Sequence, residues 1–218
     1  MQTWPPEPKR FGRFFLWAID FSKLFCYCNS KKNAINPDLW RRKMIEYTIE
    51  RVKLGDEEEL AYIQTESWKA GFKDILSEDV LQRYTQVNKA TEMYRHILDQ
   101  NIGNGYLLKV EGKPHCIAWW DATREKDMPG YAELICIHSL QNQWRKGYGS
   151  KMMDAVLHDV AAAGYSKIML WVFEANTRAR RFYEVHGFAA NGKAKRSLEA
   201  IEVCYEKNLY EQELSGRM

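Results

Sequence analysis

The chain has 218 residues, with 32 Lys and Arg against 29 Asp and Glu and a formal net charge of +3. That length allows one substantial core plus an appendage. So small a charge, with no long basic run, gives no footprint for nucleic acid. Five cysteines (Cys26, Cys28, Cys116, Cys136 and Cys204) are an odd number, and three of them sit in apolar, strand-like contexts. This reads as reduced, buried thiols in a cytoplasmic protein. Cys26 and Cys28 lack the two-residue spacing of the common zinc and redox motifs, and no His cluster accompanies them, so no metal site is expected.

Residues 1–43 differ from the rest, and the expected organisation is an N-terminal extension followed by a domain over residues 44–218. Phe11, Phe14, Ala18, Phe21 and Phe25 recur at helical spacing, the pattern of an amphipathic helix. Asp20 and Lys23 interrupt the apolar run and no small-residue cleavage site follows, which argues against a signal peptide. The run is too short and too charged to span a bilayer. Three readings stay open: a helix packed on the domain, a surface or partner anchor, and a leader upstream of Met44. Membrane attachment is the least favoured, because the helix lacks a strongly basic polar face.

From Ile45 the pattern is α/β. Ile45 to Val52 alternates like an edge strand, and Gly55-Asp56 breaks it. Glu57 to Phe72 reads as a helix with an acidic first turn. Further helix is expected from Ser77, as N-cap, to about Asn101. Tyr106 to Val110 and Cys116 to Asp121 form a hairpin around Glu111-Gly112-Lys113-Pro114. Tyr131 to Ser139 is a strand, Lys146 to Ala163 a helix ended by Gly164, and Lys167 to Phe173 a buried strand. Asn176 to His186 is a helix, and Phe188 with Leu198 to Lys207 closes the sheet.

Two signals carry the chemistry. Gln143 to Ser150 reads Q-W-R-K-G-Y-G-S, at a strand-to-helix junction where glycine spacing can turn backbone N–H groups toward an anion. Asn176 to Phe188 reads N-T-R-A-R-R-F-Y-E-V-H-G-F, a helix opened by Asn and closed by Gly. Either motif alone is more often ordinary structure; in this order and at this separation they point to a pyrophosphate-bearing ligand held beside a phenol.

The region resembles the GCN5-related N-acetyltransferase (GNAT) superfamily, with Gly147, Gly149, Asn176, Ala179, Tyr183, Gly187 and Phe188 at its motif positions. Trp144 departs from it, standing where the family usually has Gln or Arg; Arg145 and Lys146 beside it supply charge, and Lys151 and Arg178 are further candidates for offsetting the phosphates. The resemblance implies a mixed, mostly antiparallel sheet flanked by helices (the acyl-CoA N-acyltransferase fold) and acetyl-CoA as acyl donor. It further implies that backbone groups of Ile137, Ser139 and Leu140 hold the pantetheine arm and polarise the thioester. The amides of Arg145, Lys146, Gly147, Tyr148, Gly149 and Ser150 take the pyrophosphate, and Asn176 bonds the arm. Tyr183 serves as general acid, since a phenol keeps its proton at neutral pH. Glu133 is the expected base, acting through water, with His138 read as an ordinary strand histidine on the opposite face.

The reaction so implied is acetyl transfer to a primary amine by direct attack in a ternary complex. Expected acceptors are a small-molecule amine or a protein or peptide amine, bound near Glu66, Trp68, Phe72, Tyr84, Trp119, Trp120 and Asp121. A homodimer remains open as an assembly. The competing reading is a catalytically weak acyl-CoA sensor or partner-binding module on the same fold.

Overall fold

A computed structural model describes residues 46–209. The expected extension over residues 1–43 and the start at Met44 lie outside the described residues. Local chemistry sets most boundaries. Helix α1 spans Glu57–Phe72, with Glu57, Glu58 and Glu59 against the positive end of its dipole. Ser77 caps α2 (Glu78–Tyr84) by accepting from the Val80 N–H. The further helix expected from Ser77 to about Asn101 is two helices: Thr85 ends α2, its hydroxyl bonded to the Leu81 carbonyl, and α3 begins at Val87 and runs to Asp99. A threonine that satisfies a carbonyl of its own last turn competes with helix continuation.

The strands are β1 (Tyr47–Arg51), β2 (Asn104–Val110), β3 (Lys113–Ala122), β4 (Ala132–Ser139), β5 (Lys167–Phe173), β6 (Ala189–Ser197) and β7 (Ala200–Asn208). They form one sheet in the order β1-β2-β3-β4-β5-β7-β6, antiparallel except for β4 against β5. Helix α4 covers Tyr148–Ala162 and α5 covers Thr177–Val185. The mixed, mostly antiparallel α/β architecture is the one expected. Strand β6, polar in sequence and mostly exposed, went unrecognised because only its pairing to β7 makes it a strand.

One face of the sheet packs on α4, whose Met152, Met153, Val156 and Val160 are fully buried against Ala118, Trp120, Leu134 and Leu170. The other face packs on α1 and α3, where Leu60, Ile63 and Tyr94 meet Leu107, Ile117 and Trp119. Burial of aliphatic side chains at roughly 1.5 to 3 kcal/mol each holds both faces to the sheet. Among the described residues no helix is long and apolar enough to cross a membrane.

Two irregularities in β4 create the cavity. Strands β4 and β5 pair only at Ala132–Ile168 and Glu133–Met169, then diverge. On the other edge the register jumps from Trp120–Leu134 to Trp119–Cys136, leaving Ile135 as an unpaired bulge residue. A bulge bends its strand and shifts the alternation by one. Glu133, Cys136 and His138 therefore share the α1/α3 face, with partners Asp121, Trp119 and Ile117. Simple alternation had put Glu133 and His138 on opposite faces; the bulge overturns that.

Candidate active site

The gap between β4 and β5 opens into a cavity of about 1460 Å³. One end is the loop between β4 and α4. After the 3₁₀ turn Gln141–Gln143, Arg145 (φ 64) and Gly147 (φ 86) are both left-handed, and Gly147 is the N-cap of α4. Among the described residues no acceptor is found for the six consecutive amides from Arg145 to Ser150. Unpartnered N–H groups at a helix N-terminus, with the helix dipole behind them, form an anion site. Gly149 has a second role: a Cβ there would lie 3.4 Å from the Phe182 ring, so glycine lets α5 pack closely on α4.

Not every expected contact is available. Leu140 departs from expectation: its N–H donates to the His115 carbonyl and its own carbonyl accepts from Gln143 N–H. Because it caps the 3₁₀ turn, Leu140 lines a separate cavity of about 450 Å³ with Tyr62 and Glu66. The Ser139 carbonyl accepts from Trp144 Nε1 at 2.9 Å. Ile137 lines the main cavity and pairs with Ala118 in the ladder. Lys146 turns outward to Gln143 Oε1 at 2.7 Å.

The residue that departs from the motif is fixed on both sides. Above the Trp144 ring, at 3.5 Å from its centroid, lies the guanidinium of Arg178. Burial, then the nearby Arg145, lower the Arg178 pKa. Neither arginine has a carboxylate partner among the described residues. Two cations drawn together without a counter-ion favour an anionic ligand.

Helix α5 presents the other half of the site. Asn176 caps it through Oδ1, which accepts from the Ala179 N–H at 3.2 Å, and lines the cavity. Tyr183, only 8% exposed, also lines it, and its hydroxyl makes no hydrogen bond to any described residue. Burial, with a smaller contribution from Cys136, pushes that phenol well up. A hydroxyl that opens onto a cavity without a protein partner is left for a ligand.

Carboxylates on the α1/α3 side are arranged differently from expectation. Glu133 is 3% exposed, and Arg124 holds both its oxygens, with Nη2 at 2.6 Å from Oε1 and Nε at 3.1 Å from Oε2. The Arg124 backbone N–H adds a third bond, and Glu133 does not line the cavity. Glu202, on β7 opposite Phe173, does line it; burial raises its pKa, against lowering by Lys195, Ser197 and Arg124. His138 lines the cavity too, its Nε2 accepting from Trp68 Nε1 at 3.4 Å, and desolvation lowers it to about 4. Aromatic rings form the adjoining wall: Trp68 stacks on Tyr84 and meets Phe72 edge-on, and Phe72 meets Phe173. Of the other residues expected near the acceptor, Trp119 and Asp121 line the cavity, whereas Trp120 faces α4.

Glu202 and Arg124 were missed in the sequence, whereas Arg178, inside the Asn176 to Phe188 motif, was among the residues expected to offset phosphate charge. Neither Glu202 nor Arg124 lies in a motif, and each becomes a site residue only because distant strands and helices meet at the gap.

The sequence matches the Acetyltransferase (GNAT) family over residues 72–188. Among curated proteins none matches. The fold is similar to that of PaiA N-acetyltransferase from Thermoplasma acidophilum in complex with coenzyme A: TM-score 0.65, 17% identity, 75% of this chain and 99% of that one covered. It is also similar to an N-acetyltransferase from Staphylococcus aureus (TM-score 0.59, 14% identity, 75% and 99% covered). A GNAT-family acetyltransferase from Streptococcus pneumoniae gives TM-score 0.57 and 17% identity, with 75% and 99% covered. The family match spans more than half of the chain and includes both the loop of free amides and the helix carrying Asn176 and Tyr183, so the protein belongs to the GNAT acetyltransferase family.

Proposed function

We propose that the protein transfers an acetyl group from acetyl-CoA to a primary amine by direct attack in a ternary complex. The observation that carries this reading is the unpartnered Tyr183 hydroxyl in the same cavity as the unpartnered amides of Arg145 and of Gly147 to Ser150. Coenzyme A bound to the PaiA relative supports the choice of donor. The pyrophosphate lies on the amides of Arg145 to Ser150, with Arg145 and Arg178 offsetting charge. The pantetheine arm follows β4 along the gap, past Asn176 and the backbone of Ile137.

In the reaction the amine nitrogen forms a bond to the thioester carbon and the carbon–sulphur bond breaks. The departing sulphur receives the Tyr183 proton, a general-acid contribution of about 10²- to 10⁴-fold. Burial keeps Tyr183 protonated throughout the neutral range. It also opposes formation of a phenolate, so transfer depends on equal desolvation of the sulphur. Before attack the acceptor's ammonium gives one proton to Glu202, whose raised pKa makes it a stronger base than an ordinary carboxylate. The second N–H proton, shed as the amide forms, returns through solvent to Tyr183. Glu133 acts from behind the cavity wall by fixing Arg124. A covalent route through Cys136 is unsupported, since burial pushes that thiol up to about 12 and leaves it un-ionised. The acceptor is a small-molecule amine or a protein or peptide amine, entering beside the aromatic wall, where rings and a carboxylate suit a cation.

The test is calorimetric titration with acetyl-CoA and with free CoA, followed by thiol release with a panel of amines. Saturable binding and amine-dependent release are expected. Absence of binding at millimolar ligand removes the reading, and binding without release from any amine class selects the sensor instead.

A further inference from the structure

The cavity does not stop where an acetyl group would end. From the loop of free amides its wall follows β4 backwards, through Ser139 and Ile137 to the bulge at Ile135. There it continues into an arm beneath α3, lined by Met93, Tyr94, Ile97, Ile102, Trp119 and Ile135. Met93, Ile102 and Ile135 remain 41%, 46% and 39% exposed, an unusual convergence of large apolar side chains on one wall.

The polar atoms of this arm are already satisfied within the protein. The Tyr94 hydroxyl donates to Gln64 Oε1 at 2.6 Å, and Trp119 Nε1 donates to the Ile102 carbonyl at 3.1 Å. At the rim stands the Asp121 carboxylate, whose Oδ1 accepts from the Ala122 N–H. Inside that rim, what the arm offers a ligand is carbon. Cys136 packs with Tyr94 and Trp119 and also contributes to the field at Tyr183, so the arm begins beside the reacting phenol.

We infer that this arm takes the hydrocarbon chain of an acyl thioester longer than acetyl, with a medium-chain acyl-CoA as the preferred donor. The inference rests on the acyl-CoA reading above. A thioester anchored by its pyrophosphate on Arg145 to Ser150 and by its arm along β4 directs its acyl chain toward Ile135, leaving the aromatic wall of Trp68 and Phe72 to the acceptor. Each methylene buried is worth about 0.8 kcal/mol, close to a fourfold gain in affinity.

The experiment is a calorimetric series on the full chain with free CoA and with acetyl-, butanoyl-, hexanoyl- and octanoyl-CoA. Repeating it on Met93→Trp and Ile97→Trp, two substitutions on α3 that fill the arm, guards against one variant failing to fold. The dissociation constant should fall about fourfold per added methylene until the arm is full. Both variants should lose that gain while binding acetyl-CoA as before. A flat series, or weakening beyond acetyl, overturns the inference and leaves acetyl transfer standing. A chain-length gain that survives in both variants overturns the assignment to this arm. Absence of binding by every CoA species sinks the acyl-CoA reading itself.

Discussion

Trp144 and Arg178 clasp one another across the gap between β4 and β5: the guanidinium lies 3.5 Å over the indole centroid, and the indole N–H is bonded to the Ser139 carbonyl. The end of β4 is thus tied to the first turn of α5. Arg178 also reaches α1, its Nη2 3.4 Å from where a Cβ on Gly71 would stand. Trp144 itself offers the loop no charge, but it holds the Arg178 cation in place beside it.

Removing the clasp should weaken the donor site more than the chemistry. Trp144→Ala loses a cation–π contact worth about 1 kcal/mol, so acetyl-CoA binding should weaken roughly fivefold with kcat little changed. Trp144→Gln, which restores a polar side chain, should recover part of the loss. Calorimetry on the two variants checks this, and equal losses in both would separate the clasp from binding.

Tyr183→Phe should bind acetyl-CoA normally and lose about 10²- to 10⁴-fold in kcat, because it removes only the proton and leaves the buried ring in place. Single-turnover kinetics with saturating donor reads the chemical step directly. An unchanged rate would take Tyr183 out of the mechanism.

The two glutamates should separate. Glu202→Gln should lower kcat/KM and abolish its acid limb. The carboxylate must be ionised to act, and its raised pKa places that limb above the ordinary 4.5. Glu133→Gln leaves Arg124 without its buried partner, so its main effect should be on thermal stability. Reversed outcomes would return the base to Glu133.

Gly147→Ala meets no atom within 4 Å, so its cost is conformational. At φ 86 an L-residue is disfavoured by about 1–2 kcal/mol, lowering Tm by roughly 2 to 8 degrees. Relief of that strain would rotate the free amides, so the acetyl-CoA dissociation constant should rise as well. Scanning calorimetry with and without ligand measures both.

His115, 3% exposed, with Nδ1 buried and unpartnered, titrates at about 4 rather than 6.5, because burial and then Lys146 disfavour its charge. The unfolded chain takes up this proton first as pH falls from 6.5 to 4. Stability is therefore full above 6.5 and declines through that window, by roughly 3 kcal/mol from this group. Thermal unfolding of His115→Gln between those pH values should show a shallower decline than the parent.

Much of the local structure was legible because it depends on neighbours in sequence. The span of α1 follows from its acidic first turn and apolar spacing, and Ser77 and Asn176 each cap the helix they precede. The span of β5 is an apolar run that only a buried strand can use. The glycine loop was readable for the same reason: left-handed backbone at Gly147 and close packing at Gly149 are demands on single residues.

The rest was decided by partners far away in the chain. A bulge at Ile135 exists only relative to β3, yet it fixes which face Glu133 and His138 share. Nothing near Glu133 announces that Arg124 will take both its oxygens, nor does Trp144 reveal that Arg178 will stack on it. Glu202 belongs to the cavity because β7 pairs with β5 where β4 has turned away. Sequence periodicity encodes which residues can form a helix or strand; which carboxylate is left facing the ligand is set by desolvation and pairing, and these exist only once the sheet has assembled.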